Sequence, residues 1–439
     1  MSLAVVLMTN GNPAAALAIL DVPATAHSHA ASLLATRGAL HLRRRDFKQA
    51  TSDLRKALQQ KHDWPQVLNA LGLAELGAGE HKKAERHFRE AIRTGPFYED
   101  ALLNLVRLLK AEQRWSDVLA AIDQYWAPDT APVSVAWHAG AACLELRDAR
   151  AAKTWLEPCR RRGRTAGEQA GILNNLGVAY SMLQQLTAAE RDFAESARLA
   201  PSEVNVANRA SALLDLSRAE DAVLWLTEWH GRPGFTGIRL GNLLVKGLLA
   251  SNQPDKAFEL TKRLVELPDA TEATFALLSF LAADYAGDLQ AAADGARKGL
   301  SRYPASAGLT NNLAYALLLG GDVDEAQDVL AHSPPPAPGQ VDDAVCLTAT
   351  HGLLELRRGD IAAGRRLYED ALAIAQSDSM RDKIRVKRDL EIARALVRQD
   401  PRSTEAVRLL RRAADGSNAA EPYCSQAEAA LRRLPDSSE

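Results

Sequence analysis

A step of 34 residues runs through this chain: Gly38, Gly72, Val106 and Gly140 fall on it, and so do Ala16, Ala50 and Ala84. Around those positions residues 66–96 read as two amphipathic segments, with apolar residues three and four apart and a break at Leu76-Gly77-Ala78-Gly79. That is a helical hairpin. Leu68, Leu71 and Gly72 lie on its first helix, Ala84, Phe88 and Ala91 on its second, and Pro96 follows. Small residues stand where the two axes cross, and they permit close approach. A single hairpin of this kind cannot bury its apolar face. Repeated at a fixed step it covers that face with its neighbour, which predicts an all-α array with a continuous core.

The pattern resembles the tetratricopeptide repeat (TPR), a 34-residue unit built on a large apolar residue, Leu-Gly, a turn, Ala, an aromatic, Ala and Pro. Residues 172–201 carry it as clearly as residues 66–96, with Leu176-Gly177, Tyr180, Ala189, Phe193 and Pro201. The resemblance covers residues 31–375. It implies an all-α, right-handed superhelical solenoid of about ten or eleven TPR hairpins.

In chain order, residues 1–30 read as a degenerate N-terminal repeat or cap, with Gly11-Asn12-Pro13 as its turn, and residues 31–333 as the TPR array. The pair at 99–132 carries Val106 and Val118 at the small positions, so a wider crossing is expected there. From Gly140 to Gly177 the step is 37, which places about three extra residues in the connection between hairpins, where length changes are tolerated. Weaker units follow at 203–236 and 238–271, then clearer ones at 273–306 and 307–333. Residues 334–340 are a Pro-rich linker or hinge, because successive prolines lack donors and fix an extended backbone. Residues 341–379 hold a further TPR unit, and residues 380–439 read as capping helices at 380–398, 403–414 and 421–434.

Composition excludes more than it assigns. With 25% charged residues and a formal net charge of -2, nothing in the bulk balance calls for nucleic acid. The Arg-over-Lys and Ala-rich usage is associated with GC-rich bacteria. Cys143, Cys159, Cys346 and Cys424 lack CxxC spacing, so they predict buried, reduced thiols and neither a zinc site nor a disulfide framework. Residues 3–8, LAVVLM, have no basic leader and are too short for a signal-peptide core, and no later stretch would span a membrane. A cytoplasmic protein is expected. Met1-Ser2-Leu3 would also fit residues left ahead of a truncated chain, which keeps a periplasmic or lipid-anchored precursor open.

No phosphate-binding GxxxxGK[ST] loop, GxSxG elbow or HExxH pair occurs, so the sequence predicts no enzyme, no cofactor, no metal and no small-molecule substrate. His27 with His29, and His81 with His87, lie off a common helical face. Trp225 and Trp229, four apart on a helix, are expected to pack. Basic clusters at Arg43-Arg44-Arg45, at Arg160 to Arg164 and in the tail (Arg381, Lys383, Arg385, Lys387, Arg388, Arg408, Arg411, Arg412) read as solvated helix faces, tempered in the tail by Asp382, Asp389, Glu391, Asp400 and Glu405. Nucleic-acid binding through the Arg-rich C-terminal helices is the alternative they leave open.

The resemblance also implies a site. In TPR proteins the first helix of each hairpin lines a concave groove, and the groove-facing positions here are rich in asparagine: Asn69, Asn104, Asn174, Asn175, Asn208, Asn242, Asn311 and Asn312. Asparagine is a poor helix former, so its repetition needs a reason. A carboxamide both donates and accepts, which suits the backbone of an extended peptide, and equally suits bonds between neighbouring repeats. Arg107, Lys110 and Lys246 are placed to meet a peptide carboxylate, and Tyr315 to stack or to join the core. The full Lys/Asn/Arg clamp of chaperone-binding TPR domains does not appear. The reading is a non-catalytic scaffold or adaptor holding a protein or peptide partner. A bacterial secretion or pilus assembly factor, and self-association through end repeats, stay open beside it.

Overall fold

A computed structural model describes residues 30–95, 98–235, 237–337, 339–417 and 420–434, and among them all regular structure is helical. The hairpin expected within residues 1–30 lies outside the described residues. The chain divides into two compact units, residues 1–212 and 213–439.

In the first unit consecutive helices pair as hairpins: α1 (Ala30–Arg43) with α2 (Phe47–Gln60), α3 (Pro65–Gly77) with α4 (His81–Thr94), and α5 (Glu99–Ala111) with α6 (Trp115–Asp123). Then α7 (Val133–Glu145) pairs with α8 (Ala149–Leu156) and α9 (Ala166–Met182) with α10 (Leu186–Leu199), and α11 (Glu203–Asp215) carries the division between the units. The second unit holds α12 (Ala219–Trp229), then α13 (Ile238–Ala250) with α14 (Pro254–Leu264), and α15 (Glu272–Phe280), which runs on as a π-helical turn through Leu281–Ala286, with α16 (Leu289–Arg302). There follow α17 (Ala307–Gly320) with α18 (Val323–Ala331), α19 (Val341–Arg358) with α20 (Ile361–Ile374), α21 (Asp378–Gln399) with α22 (Thr404–Ala414), and α23 (Tyr423–Leu431). Residues 333–337 are non-helical, in keeping with their prolines. No described helix is long and apolar enough to cross a membrane.

The crossing glycines explain why these pairs close. A Cβ on Gly38 would lie 2.6 Å from Leu54, on Gly72 2.6 Å from Phe88, on Gly140 2.4 Å from Leu156, and on Gly177 2.5 Å from Phe193. In the second unit a Cβ on Gly352 would lie 2.9 Å from Tyr368. In every pair the large side chain stands 16 positions after the glycine and fills the place its Cβ would take. In the third hairpin Val106 replaces the glycine and its counterpart is Ile122, both fully buried. Phe88, Leu105, Ile122, Leu156 and Phe193 belong to one hydrophobic core through the first unit. Burial of each such side chain contributes roughly 1.5–3 kcal/mol.

Ten of the connections between successive helices pass through one left-handed residue. Arg45, Gly79, Gln113, Arg147 and Gln184 do so in the first unit, and Ser217, Asn252, Gly287, Gly321 and Gly359 in the rest, all at φ between +56° and +92°. An aspartate follows four of them as helix N-cap: Asp46, Asp148, Asp288 and Asp360 accept from the amides of Gln49, Ala151, Ala291 and Ala363. These caps satisfy amides that the second helix leaves unpaired.

Candidate interaction surface

The first helices of successive hairpins bring the expected asparagines of the first unit into register. Asn104 Nδ2 on α5 donates to Asn69 Oδ1 on α3 at 2.9 Å, Asn69 Nδ2 reaches the Tyr98 hydroxyl at 3.5 Å, and Arg107 Nη1 donates to Asn104 Oδ1 at 3.1 Å. Asn208 Nδ2 on α11 likewise donates to Asn174 Oδ1 on α9 at 2.9 Å. The carboxamides therefore tie one hairpin to the next. Asn69 is buried, Asn104, Asn174, Asn175 and Asn208 are half-buried, and Arg107 is exposed.

Between the two tied pairs the same face opens into a cavity of about 330 Å³. Leu103 and Arg107 of α5, Val133, Ser134, Trp137 and His138 of α7, and Gly167, Glu168, Gly171 and Ile172 of α9 line it. Lys110 Nζ lies 3.4 Å from His138 Nδ1 and 5.0 Å from the centre of the Trp137 ring, and the two rings meet edge to face at 4.8 Å. Burial, with Lys110 and Arg107 close by, pushes His138 down from 6.5 to about 4. The imidazole is then neutral near pH 7, and its Nδ1 accepts from the Lys110 ammonium. Burial also lowers the Lys110 pKa, with Glu145 opposing it. The Ser134 hydroxyl donates to Glu99 Oε1. A Cβ at Gly167 would meet nothing nearer than Thr165 Oγ1 at 4.0 Å, so the glycine leaves that wall open. The repeat pattern alone singles out neither Trp137 nor His138. Their position one hairpin after Arg107 and Lys110 is the signal that marks them.

The second unit treats its counterparts differently. Asn242 Nδ2 donates to Thr274 Oγ1 at 3.1 Å and Asn312 Nδ2 to the Ala276 carbonyl at 3.3 Å. Asn311 is buried, and its Oδ1 has no partner among the described residues. Tyr315 is buried as well: its hydroxyl donates to Asp284 Oδ1 at 2.8 Å and Lys387 Nζ lies 3.5 Å above its ring, so it takes the core role of the two expected for it. Lys246 stays exposed.

Many of the basic side chains find acids nearby. Arg160 bonds to Asp192 at 2.7 Å and to Glu157 at 2.8 Å. In the tail Arg381 pairs with Asp378 and Arg385 with Asp382, while Arg388 and Arg412 converge on buried Asp389. Among the described residues no group of three or more His, Cys, Asp or Glu is placed to hold a metal ion. His81 pairs with Glu112 and His87 with Glu75, whereas His27 and His29 lie outside the described residues. Trp225 and Trp229, both half-buried on α12, meet ring to ring at 5.5 Å. Cys143, Cys159 and Cys424 are buried free thiols, and Cys346 is a half-buried one.

Two profiles of the tetratricopeptide repeat match the chain, over residues 35–99 and 169–200. No curated protein matches its sequence. Among solved structures, yeast Tom70 is similar at 14% identity over 99% of this chain and 96% of that one, with a TM-score of 0.40. A human IFIT1 dimer with m7Gppp-AAAA is similar at 13% identity over 84% and 89%, with a TM-score of 0.43. A tetratricopeptide repeat protein from Parabacteroides merdae is similar at 15% identity over 57% and 98%, with a TM-score of 0.39. The chain thus carries tetratricopeptide repeats, at residues 35–99 and 169–200, within an all-α array of helical hairpins.

Proposed function

We propose that this protein is a non-catalytic scaffold that holds an extended segment of a partner protein along the first-helix face of its first unit, with one large apolar side chain of that segment in the cavity beside Trp137. The cavity carries the reading. It has apolar walls, a bare glycine at Gly167, and an exposed guanidinium, Arg107, at its rim. An apolar side chain desolvates there while the asparagine row and Arg107 meet the segment's backbone. Each neutral hydrogen bond adds only about 0.5–1.5 kcal/mol net, so affinity comes from several contacts along the face. The first unit is favoured over the second because Tyr315 and Asp284 of the second are already engaged with each other and with the C-terminal helices.

Affinity capture from the native host tests this, using wild-type protein beside Gly167→Leu and Arg107→Glu. Gly167→Leu places an apolar side chain at the cavity wall, where its Cβ meets nothing closer than 4.0 Å, and Arg107→Glu reverses the rim charge at an exposed position. The expected result is a partner held by wild type and lost by both variants, with helicity unchanged. Partners retained by both variants would remove the cavity from the account.

A further inference from the structure

Within the second unit, one residue joins elements far apart in the chain. Asp284 sits on the π-helical turn after α15, and both its carboxylate oxygens are taken: Oδ1 accepts from the Tyr315 hydroxyl at 2.8 Å, Oδ2 from the Tyr423 hydroxyl at 3.1 Å. Its carbonyl accepts from Gln426 Nε2 at 3.0 Å. Tyr423 and Gln426 both belong to α23, 139 and 142 residues further along. Lys387 Nζ of α21 lies 3.5 Å over the Tyr315 ring and 5.2 Å over that of Tyr423. Lys383 Nζ lies 4.8 Å over Phe280.

Two features separate this contact from ordinary core packing. Buried charges and hydroxyls hold less firmly than apolar side chains of the same volume, because their desolvation offsets much of the attraction. Directly beside them lies a cavity of about 880 Å³, bounded by Leu249 and Ala250 at the end of α13, by Tyr285, and by Pro422, Ser425 and Gln426. The cavity is open to solvent, since Ala250 and Ser425 in its lining are exposed. So α23 meets the turn after α15 through a narrow polar contact on one side of a large opening. The π turn, a geometry that recurs at functional positions, presents the carboxylate to it.

We propose that α23 is a clasp: Tyr423 and Gln426 on Asp284 hold α23 against the π turn, and their release widens the cavity between α13, the π turn and α23. The closed state covers Tyr315 and the π turn, and the open state exposes them to solvent. The clasp stands independently of the first-unit cavity, and neither proposal fails with the other.

Hydrogen exchange on the full-length protein tests it, with Tyr423→Phe/Gln426→Ala, which keeps the ring in the core while removing both bonds to Asp284. Exchange in 281–288 and in 420–431 should rise together by about tenfold, while α22 and the first unit keep their rates. Asp284→Asn added to that pair should change exchange in 420–431 no further, because its bonds to α23 are already gone. Unchanged exchange in the double variant would overturn the clasp. So would a rise spread equally over α20, α21 and α22, which would make α23 ordinary core.

Discussion

The side-chain amide of Asn104 donates to Asn69 Oδ1 at 2.9 Å across 35 positions of sequence, and Asn69 is only 7% exposed. The row of asparagines is therefore a tie between hairpins before it is anything else. Removing the donor leaves a buried carbonyl oxygen without it, so Asn104→Ala should lower stability in urea unfolding by about 1–2 kcal/mol. Asn175 makes no such bond among the described residues, and Asn175→Ala should gain a few tenths of a kcal/mol from helix propensity. Loss of partner binding in Asn175→Ala without loss of stability would separate recognition from scaffolding.

The crossing at Gly177 sets two effects of opposite sign against each other. Alanine is the better helix former by about 1 kcal/mol, yet its Cβ would fall 2.5 Å from the Phe193 ring. The clash should win, giving a net destabilisation of about 1–3 kcal/mol by denaturant titration. Gly177→Val with Phe193→Ile copies the pair that Val106 and Ile122 already make, and it should recover part of that loss.

The left-handed turns predict a stabilising change. Gln113 holds φ at +58°, a conformation that strains an L-residue by roughly 1–2 kcal/mol. Glycine relieves the strain but adds freedom to the unfolded chain, so Gln113→Gly should gain a few tenths to about 1 kcal/mol. Gly359→Ala, at φ +92°, should lose about 1 kcal/mol. Thermal melts of the two variants should shift in opposite directions.

His138 gives the first unit a pH dependence with a definite sign. Its pKa is depressed to about 4 from 6.5, so between those values the unfolded chain binds the extra proton. Its contribution is complete above pH 6.5 and fades as pH falls toward 4. Protonation would also set an imidazolium 3.4 Å from the Lys110 ammonium. NMR titration of the His138 ring should report the low midpoint, and His138→Gln should flatten stability across that window.

The hairpins were legible because their information is local and repeated. Gly72 with Phe88, and Gly177 with Phe193, encode a crossing within one unit, and the tail helices expected at 380–398 and 403–414 are found at 378–399 and 404–414. The turns were half legible. Gly79, Gly287, Gly321 and Gly359 announce positive φ, but Arg45, Gln113 and Arg147 take it within the short turns between paired helices, which no propensity shows. The asparagine row was visible as a row. Its bonds were not, since either of two partners would satisfy a carboxamide. Least legible were Tyr423 on Asp284 and Lys387 over Tyr315, because nothing periodic links residues so far apart.

The three additional residues between Gly140 and Gly177 behave like a dislocation healed outside the lattice. Gly140 still meets Leu156 and Gly177 still meets Phe193 at unchanged separation, and the slack is taken up between α8 and α9, where Arg160 reaches across to Asp192. The stacking keeps its phase while the numbering loses it. A reporter or tag grafted at Arg161 or Arg164, both exposed in that connection, would therefore enter where this protein has already absorbed extra length.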